Sequence, residues 1–226
     1  MKEENILFVF LRSDIFSAYF YFKVITMKSK KSKKFNVRAL TVTAVMGALS
    51  TVLMMIEFSI PIMPAFIKLD FSELPALITG FAYGPLWGIA VCFIKNFIHV
   101  FVSTTGAIGE ISNFVLGAVF VGVAAIIYKK KKNKKWALIS CVISSAIMAV
   151  FSVFTNYFIV YPLYIKVLGM TEEMILGMYQ AILPSVNNLF EAIAIFNLPF
   201  NFVKMMIVSL MCFAIYKRIS PIMKKH

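Results

Sequence analysis

Four side chains in the last third of the chain stand out for their chemistry: Asn156, Asn197, Asn201 and Lys204. The last three are spaced i, i+4 and i+7, which places them on one face of a helix, with Lys204 about 10 Å beyond Asn197 at 1.5 Å rise per residue. All lie in stretches rich in Phe, Tyr, Ile and Val. Amides and an ammonium among aromatics suit a flat heteroaromatic molecule with carbonyl and imide edges. Its ring stacks on aromatic faces while the amides meet its polar edge. The competing reading is that these groups hydrogen-bond between helices and only hold the protein together.

A second polar set lies upstream. Lys95, Asn96 and His99 fall at i, i+1 and i+4, and Glu110 and Asn113 open the next apolar stretch. A lysine at the centre of a bilayer costs about 2.5–3.5 kcal/mol, so such a group lines a cavity or finds a partner. Lys95 and Asn96 are therefore further candidates for ligand contact, with a Lys95–Glu110 ion pair as the structural alternative. His99 reads as a satisfied interior histidine, since no second histidine stands near enough for a metal site. Asp70-Phe-Ser-Glu73 supplies either ligand-contacting acids or a capping box with Pro75 in the first helical turn, and the spacing favours the box.

Other chemistries have no residues to carry them. The chain contains no G-x-x-x-x-G-K-[ST] phosphate loop, no His/Asp/Glu metal set, no catalytic serine arrangement and no paired acids inside an apolar stretch. ATP-driven work would need partner ATPases, and a membrane enzyme acting on lipid headgroups is the weaker class. Cys92, Cys141 and Cys212 sit singly in apolar stretches and read as buried apolar side chains.

The elements that must position these groups are membrane helices. With 61% hydrophobic and 15% charged residues, the chain has no polar coat for a soluble globule. Most of its 23 basic residues fall in three clusters, Lys28 to Arg38, Lys129 to Lys135 and Lys217 to Lys225, separated by long apolar runs. Glu57, Asp70, Glu73, Glu110, Glu172, Glu173 and Glu191 lie in the gaps. Cytoplasmic loops collect Lys and Arg, so the clusters mark one face of a bilayer. The +13 net charge is accordingly read as a topology signal and a contact for anionic lipid, not for nucleic acid.

Plain apolar spans cover 38–57, 86–103, 109–128, 136–160 and about 197–217. Clusters 28–38 and 129–135 must share a face, which demands an even number of crossings between them, yet only three plain spans lie there. The missing element is Glu73 to Tyr83, too short to cross hydrocarbon unaided and tolerable only if packed inside the protein beside a cavity. The expected fold is an all-α integral membrane protein: one bundle of six transmembrane helices, the second short, with both termini cytoplasmic.

On the external side, 58–72 is an apolar loop in which Pro61 and Pro64 forbid a regular helix. It reads as a lid, with Pro61, Pro64, Phe66 and Leu69 its apolar members. Segment 161–196 should carry an amphipathic helix capped by Thr171 ahead of Glu172 and Glu173. Gly80, Gly84 and Gly88 let helices approach closely. Ala44 and Ala48 belong to a small-residue stripe that either packs internally or docks another membrane subunit. Residues 1–26, net acidic at the start and broken by Arg12, Asp14 and Lys23, read as an upstream extension of the frame or an interfacial helix, with 27–226 as the single membrane domain.

Several blocks resemble a known family. Ala44-Val-Met-Gly-Ala48, Glu57-Phe-Ser-Ile-Pro61, Leu69-Asp-Phe-Ser-Glu-Leu-Pro-Ala76, Lys95-Asn96, Gly109-Glu-Ile-Ser-Asn113 and Leu198-Pro-Phe-Asn-Phe-Val-Lys204 are similar to the riboflavin-specific substrate-binding components of energy-coupling factor transporters. The resemblance covers about residues 35–217. It implies a subunit of the bacterial cell membrane that captures riboflavin or FMN from outside as transported ligand, with no cofactor. Its partners would be a transmembrane coupling protein and two cytoplasmic ATPases. It further implies that Asn156, Asn201 and Lys204 hold the polar edge of the flavin, and that Ala44 and Ala48 dock the coupling protein. A component for another vitamin is the alternative within the class. The chain departs from the pattern in residues 1–26 and in a long 161–196 segment, which leaves the roles of Tyr161, Tyr164, Asn187 and Asn188 open.

Overall fold

The computed structural model describes residues 36–224, with side chains from 36 to 215; residues 1–26, read above as an extension, lie outside the described residues. Helix α1 (Val37–Met55) leads into a small antiparallel hairpin, β1 (Phe58–Ser59) and β2 (Lys68–Leu69), paired Phe58 to Leu69 and Ser59 to Lys68. There follow α2 (Glu73–Tyr83), α3 (Pro85–His99, ending in a 3₁₀ turn to Val102), α4 (Ile108–Lys130) and α5 (Lys134–Thr155). A π-helical turn, Asn156–Val160, carries α5 on into α6 (Tyr161–Leu168). Then come α7 (Glu172–Gln180), the single turn α8 (Leu189–Ala192), a second π turn (Ile193–Asn197) and α9 (Leu198–Lys224).

Five helical stretches are long and apolar enough to cross a bilayer: Val37–Met55, Pro85–Val102, Ile108–Lys130, Lys134–Leu168 and Leu189–Ile215. Helix α2 occupies the place required by the charge parity. At 11 residues it is only about 16 Å long. It survives because it is wrapped: it packs on α1, α3, α4 and α9, and all but two of its residues are buried. Two glycines make that packing fit. A Cβ on Gly88 would meet Val121 Cγ1 at 2.5 Å and the Ala76 carbonyl at 2.9 Å. Gly84, between α2 and α3, sits at φ +106°, a conformation that L side chains rarely adopt.

The apolar interior has two parts. One surrounds α2 and includes Leu77, Phe81, Val91, Phe120, Tyr128 and Met205. The other gathers Tyr161, Tyr164, Ile175, Tyr179, Leu189 and Ile193, with Phe66 of the hairpin packed against it. The lysine cluster 129–135 forms the turn between α4 and α5, at the opposite end of α4 from Gly109 and Asn113. Thr171 caps α7 as expected, accepting from the Met174 N–H at 3.2 Å.

Two expectations about the polar interior are corrected. Asp70 and Glu73 do not form a capping box: Ser72 is the N-cap residue, without a side-chain cap bond, and both carboxylates take ion pairs instead. Lys95 does not pair with Glu110. It pairs with Glu73, while Glu110 accepts from His99 Nδ1 at 2.9 Å and from Ser103 Oγ at 2.7 Å. The reason is position: Lys95 lies a full turn below His99 on α3, level with the start of α2 instead of the start of α4.

Candidate binding site

The polar residues of the last helices meet where α2's surroundings join the tyrosine-rich part. A cavity of about 130 Å³ is lined by Asn156, Asn197, Asn201 and Lys204, by the aromatic rings of Phe66, Tyr161, Tyr164 and Phe200, and by Asn113 and Leu116 of α4. A second cavity of about 90 Å³ adjoins it and shares Phe66, Lys68, Gly109 and Asn113. The i, i+4, i+7 face read from the sequence is thus the face that α9 and its preceding π turn present to the cavity.

Backbone geometry helps to aim these groups. Asn156 opens one π turn and Asn197 closes the other. A π turn widens the helix by one residue and rotates the side chains that follow, a device common at functional sites. Here the two insertions place an amide from each helix on the same cavity.

The amides differ in how much hydrogen-bonding capacity they have left. The Asn197 amide is held at both ends by protein: Tyr179 Oη donates to its Oδ1 at 2.7 Å, and its Nδ2 donates to Tyr161 Oη at 2.9 Å. Tyr161 and Tyr179 also share a hydrogen bond through their hydroxyls. Burial pushes the Tyr179 hydroxyl well above the usual tyrosine range, so it stays a neutral donor. Asn201 Nδ2 donates to Ser152 Oγ at 3.0 Å, which leaves its Oδ1 as an acceptor. Asn156, 7% exposed, has no protein partner for its amide among the described residues.

The two lysines differ in the same way. Lys95, fully buried, uses all three ammonium donors on Ser72 Oγ, Glu73 and Asn113 Oδ1. Lys204 lines the cavity and donates to Asp70 Oδ2 at 2.7 Å, which leaves two of its three donors without a protein partner among the described residues. Burial alone would raise the Asp70 carboxyl; the Lys204 and Lys95 ammonium groups outweigh it and hold Asp70 well below the usual carboxylate range.

The structure brings Asn156, Asn197, Asn201 and Lys204 together on the main cavity and leaves Lys95 and Asn96 off its lining. Asn96 donates to the Cys92 carbonyl within its own helix. Of the four apolar hairpin residues, Phe66 faces the cavity, edge-on to Tyr161, Tyr164 and Tyr179 at ring-centroid distances of 6.0, 5.9 and 6.3 Å. Leu69 and Pro64 are buried and Pro61 is exposed. Tyr161 and Tyr164 line the cavity, whereas Asn188 caps α8 by accepting from the Glu191 N–H, and Asn187 bonds within the preceding turn. Ala44 and Ala48 are exposed, while Thr43, Gly47 and Ser50 on the same helix are buried.

Tyr179 and Ser152 were not among the residues singled out from the sequence. Tyr179 carried a usable signal: with Ile175 it forms the buried stripe of α7, four residues apart, and it alone brings a hydroxyl there. Ser152 carried none, being one serine among several on α5.

Fold and site together define a multi-pass membrane protein with a small cavity that combines aromatic rings with unspent amide and ammonium groups. Residues 38–216 match the family model of the ECF transporter substrate-specific component, and the chain belongs to that family. It is similar to the riboflavin transporter RibU of Staphylococcus aureus (strain TCH60), with 31% identity over 198 residues, 88% of this chain and 98% of that protein. It is also similar to the riboflavin transporter FmnP of Bacillus subtilis (strain 168), with 28% identity over 82% of this chain and 94% of that protein. A solved structure, described as the S component of a bacterial ECF transporter, matches at TM-score 0.66 and 29% identity over 83% of this chain and 98% of its own.

Proposed function

We propose that this chain binds riboflavin, with the flavin ring in the main cavity and its pyrimidine edge on Asn156, Asn201 and Lys204. The observation that carries this reading is the convergence of the open Asn156 amide, the spare Asn201 acceptor and the two spare Lys204 donors on one aromatic-lined space. Flavin's pyrimidine edge offers alternating carbonyls and an N–H, which needs both donors and acceptors in a line. The names of the similar proteins support the same ligand. In this reading Phe66 and the hairpin close over the ring, and the adjoining cavity takes the sugar-alcohol chain.

The reading extends to the transporter. The chain crosses the membrane with six helices, α2 counted as the second, and both termini lie in the cytoplasm beside the 129–135 cluster. A transmembrane coupling protein docks on the exposed Ala44 and Ala48 of α1, and two ATPases supply the energy. Ala44→Trp or Ala48→Trp should abolish riboflavin uptake by cells while the purified variant binds as wild type does; lost binding in detergent would count against the docking role. The ligand itself is tested by purification. Protein from cells grown with riboflavin should be yellow and release flavin on denaturation, and colourless protein that fails to quench added riboflavin would sink the reading.

A further inference from the structure

Lys204 lines the cavity from α9, yet its carboxylate partner comes from a distant part of the chain. Asp70 stands 134 positions earlier, in the short link between the hairpin and α2. It is itself held tightly: Oδ1 accepts from the Ser72 N–H at 2.9 Å and from Ser72 Oγ, which leaves Oδ2 for Lys204. Ser72 is tied in turn, its Oγ accepting from Lys95 and its carbonyl from Ser50 Oγ of α1. The neighbouring carboxylates are engaged elsewhere, Glu57 with Lys68 and Glu73 with Lys95.

We propose that Asp70 is a positioning residue for ligand binding: its carboxylate anchors the Lys204 ammonium and keeps it turned toward the cavity, so that its two remaining donors meet the ligand's edge. The proposal rests on the reading of the cavity as the flavin site. The physical case is that Lys204 is 6% exposed. A buried ammonium without a counter-charge gives up its proton or swings to another acid, and either change removes donors from the cavity. Asp70 is off the main cavity that takes the ring but lines the adjoining one, so an effect passed through Lys204 must be told apart from a direct contact with the sugar-alcohol chain, which would be independent of Lys204.

A double-mutant cycle read by riboflavin affinity tests this, using full-length protein in detergent, isothermal titration and thermal unfolding as a check on folding. Lys204→Met should weaken binding about tenfold or more, the range for losing a hydrogen bond to a charged group. Asp70→Asn should weaken it to a similar extent. The double variant, which removes both charges together, should bind no more weakly than Lys204→Met alone. Wild-type affinity in Asp70→Asn, or a double variant whose loss is the product of the two single losses, would overturn the role. A purely structural Asp70 would give that product, because a loosened hairpin weakens binding whether or not Lys204 is present. Should Asp70→Asn not fold, Asp70→Glu replaces it: a shifted carboxylate should lower affinity when Lys204 is intact and cause no further loss when added to Lys204→Met. Wild-type protein that binds no riboflavin removes the flavin reading and this inference with it, whereas normal wild-type binding with an additive cycle removes the inference alone.

Discussion

The two buried lysines occupy the same kind of place and have been given opposite roles. Lys95 is surrounded by Ser72, Glu73 and Asn113 and has no donor left to offer. Lys204 has one carboxylate and an open side. The asparagines divide likewise: Asn197 is clamped at both ends of its amide by two tyrosines, while Asn156 lines the same cavity with its amide unspent. A polar group inside a membrane protein is costly wherever it lies, so its residue type alone does not distinguish a girder from a ligand contact. What distinguishes them is the number of hydrogen-bonding positions the protein leaves unfilled.

Breaking the satisfied side should do the most damage to the fold. Lys95→Met strands Glu73, 2% exposed, without a counter-charge, and removing one partner of a buried pair costs about 3–5 kcal/mol. For a chain of this size that is a fall on the order of 10 °C in the unfolding midpoint. A midpoint unchanged within a degree or two would mean that Lys95 is not the girder described here.

Lys204→Met should act on both sides at once. Judged from its helix alone, the change only adds apolar atoms to an apolar bundle. With Asp70 in view it also strands a buried carboxylate, so stability and affinity should fall together, the affinity by about 1.5–3 kcal/mol. Asn156→Leu sharpens the contrast, since it should cost about 0.5–1.5 kcal/mol of binding and leave the unfolding midpoint in place. A large loss of stability in Asn156→Leu would show that its amide has a protein partner after all.

Acid provides a gentler probe. The carboxyl of Asp70 is held below its ordinary value in the folded protein, so below about pH 4 the unfolded chain binds more protons at this site. The stability it contributes is therefore present at neutral pH and is lost as the pH falls through that range. Asp70→Asn should flatten this part of the stability profile; an unchanged profile would assign the acid sensitivity to other groups.

Much of this division was hidden in the sequence for identifiable reasons. Charge clusters and parity placed α2 at Glu73–Tyr83, because topology is written in lysines that a bilayer sorts by side. The face of Asn197, Asn201 and Lys204 was legible because helical spacing is local. The two π turns were not, since an inserted residue leaves no composition signal; nor was the Asp70–Lys204 pair, whose members are 134 positions apart. The acids of Asp70-Phe-Ser-Glu73 fit the spacing of a capping box equally well, and only the approach of Lys95 and Lys204 decided their use.

The most direct test of the central claim, that the unspent amides and ammonium read the edge of a flavin ring, is a paired titration. Wild type, Asn156→Leu and Asn201→Leu would each be titrated with riboflavin and with lumiflavin, which keeps the ring and lacks the sugar-alcohol chain. The account predicts that wild type binds both and that each variant loses affinity for both by the same factor. Variants that lose riboflavin yet bind lumiflavin as wild type does would place these residues on the chain instead of the ring, and would contradict it.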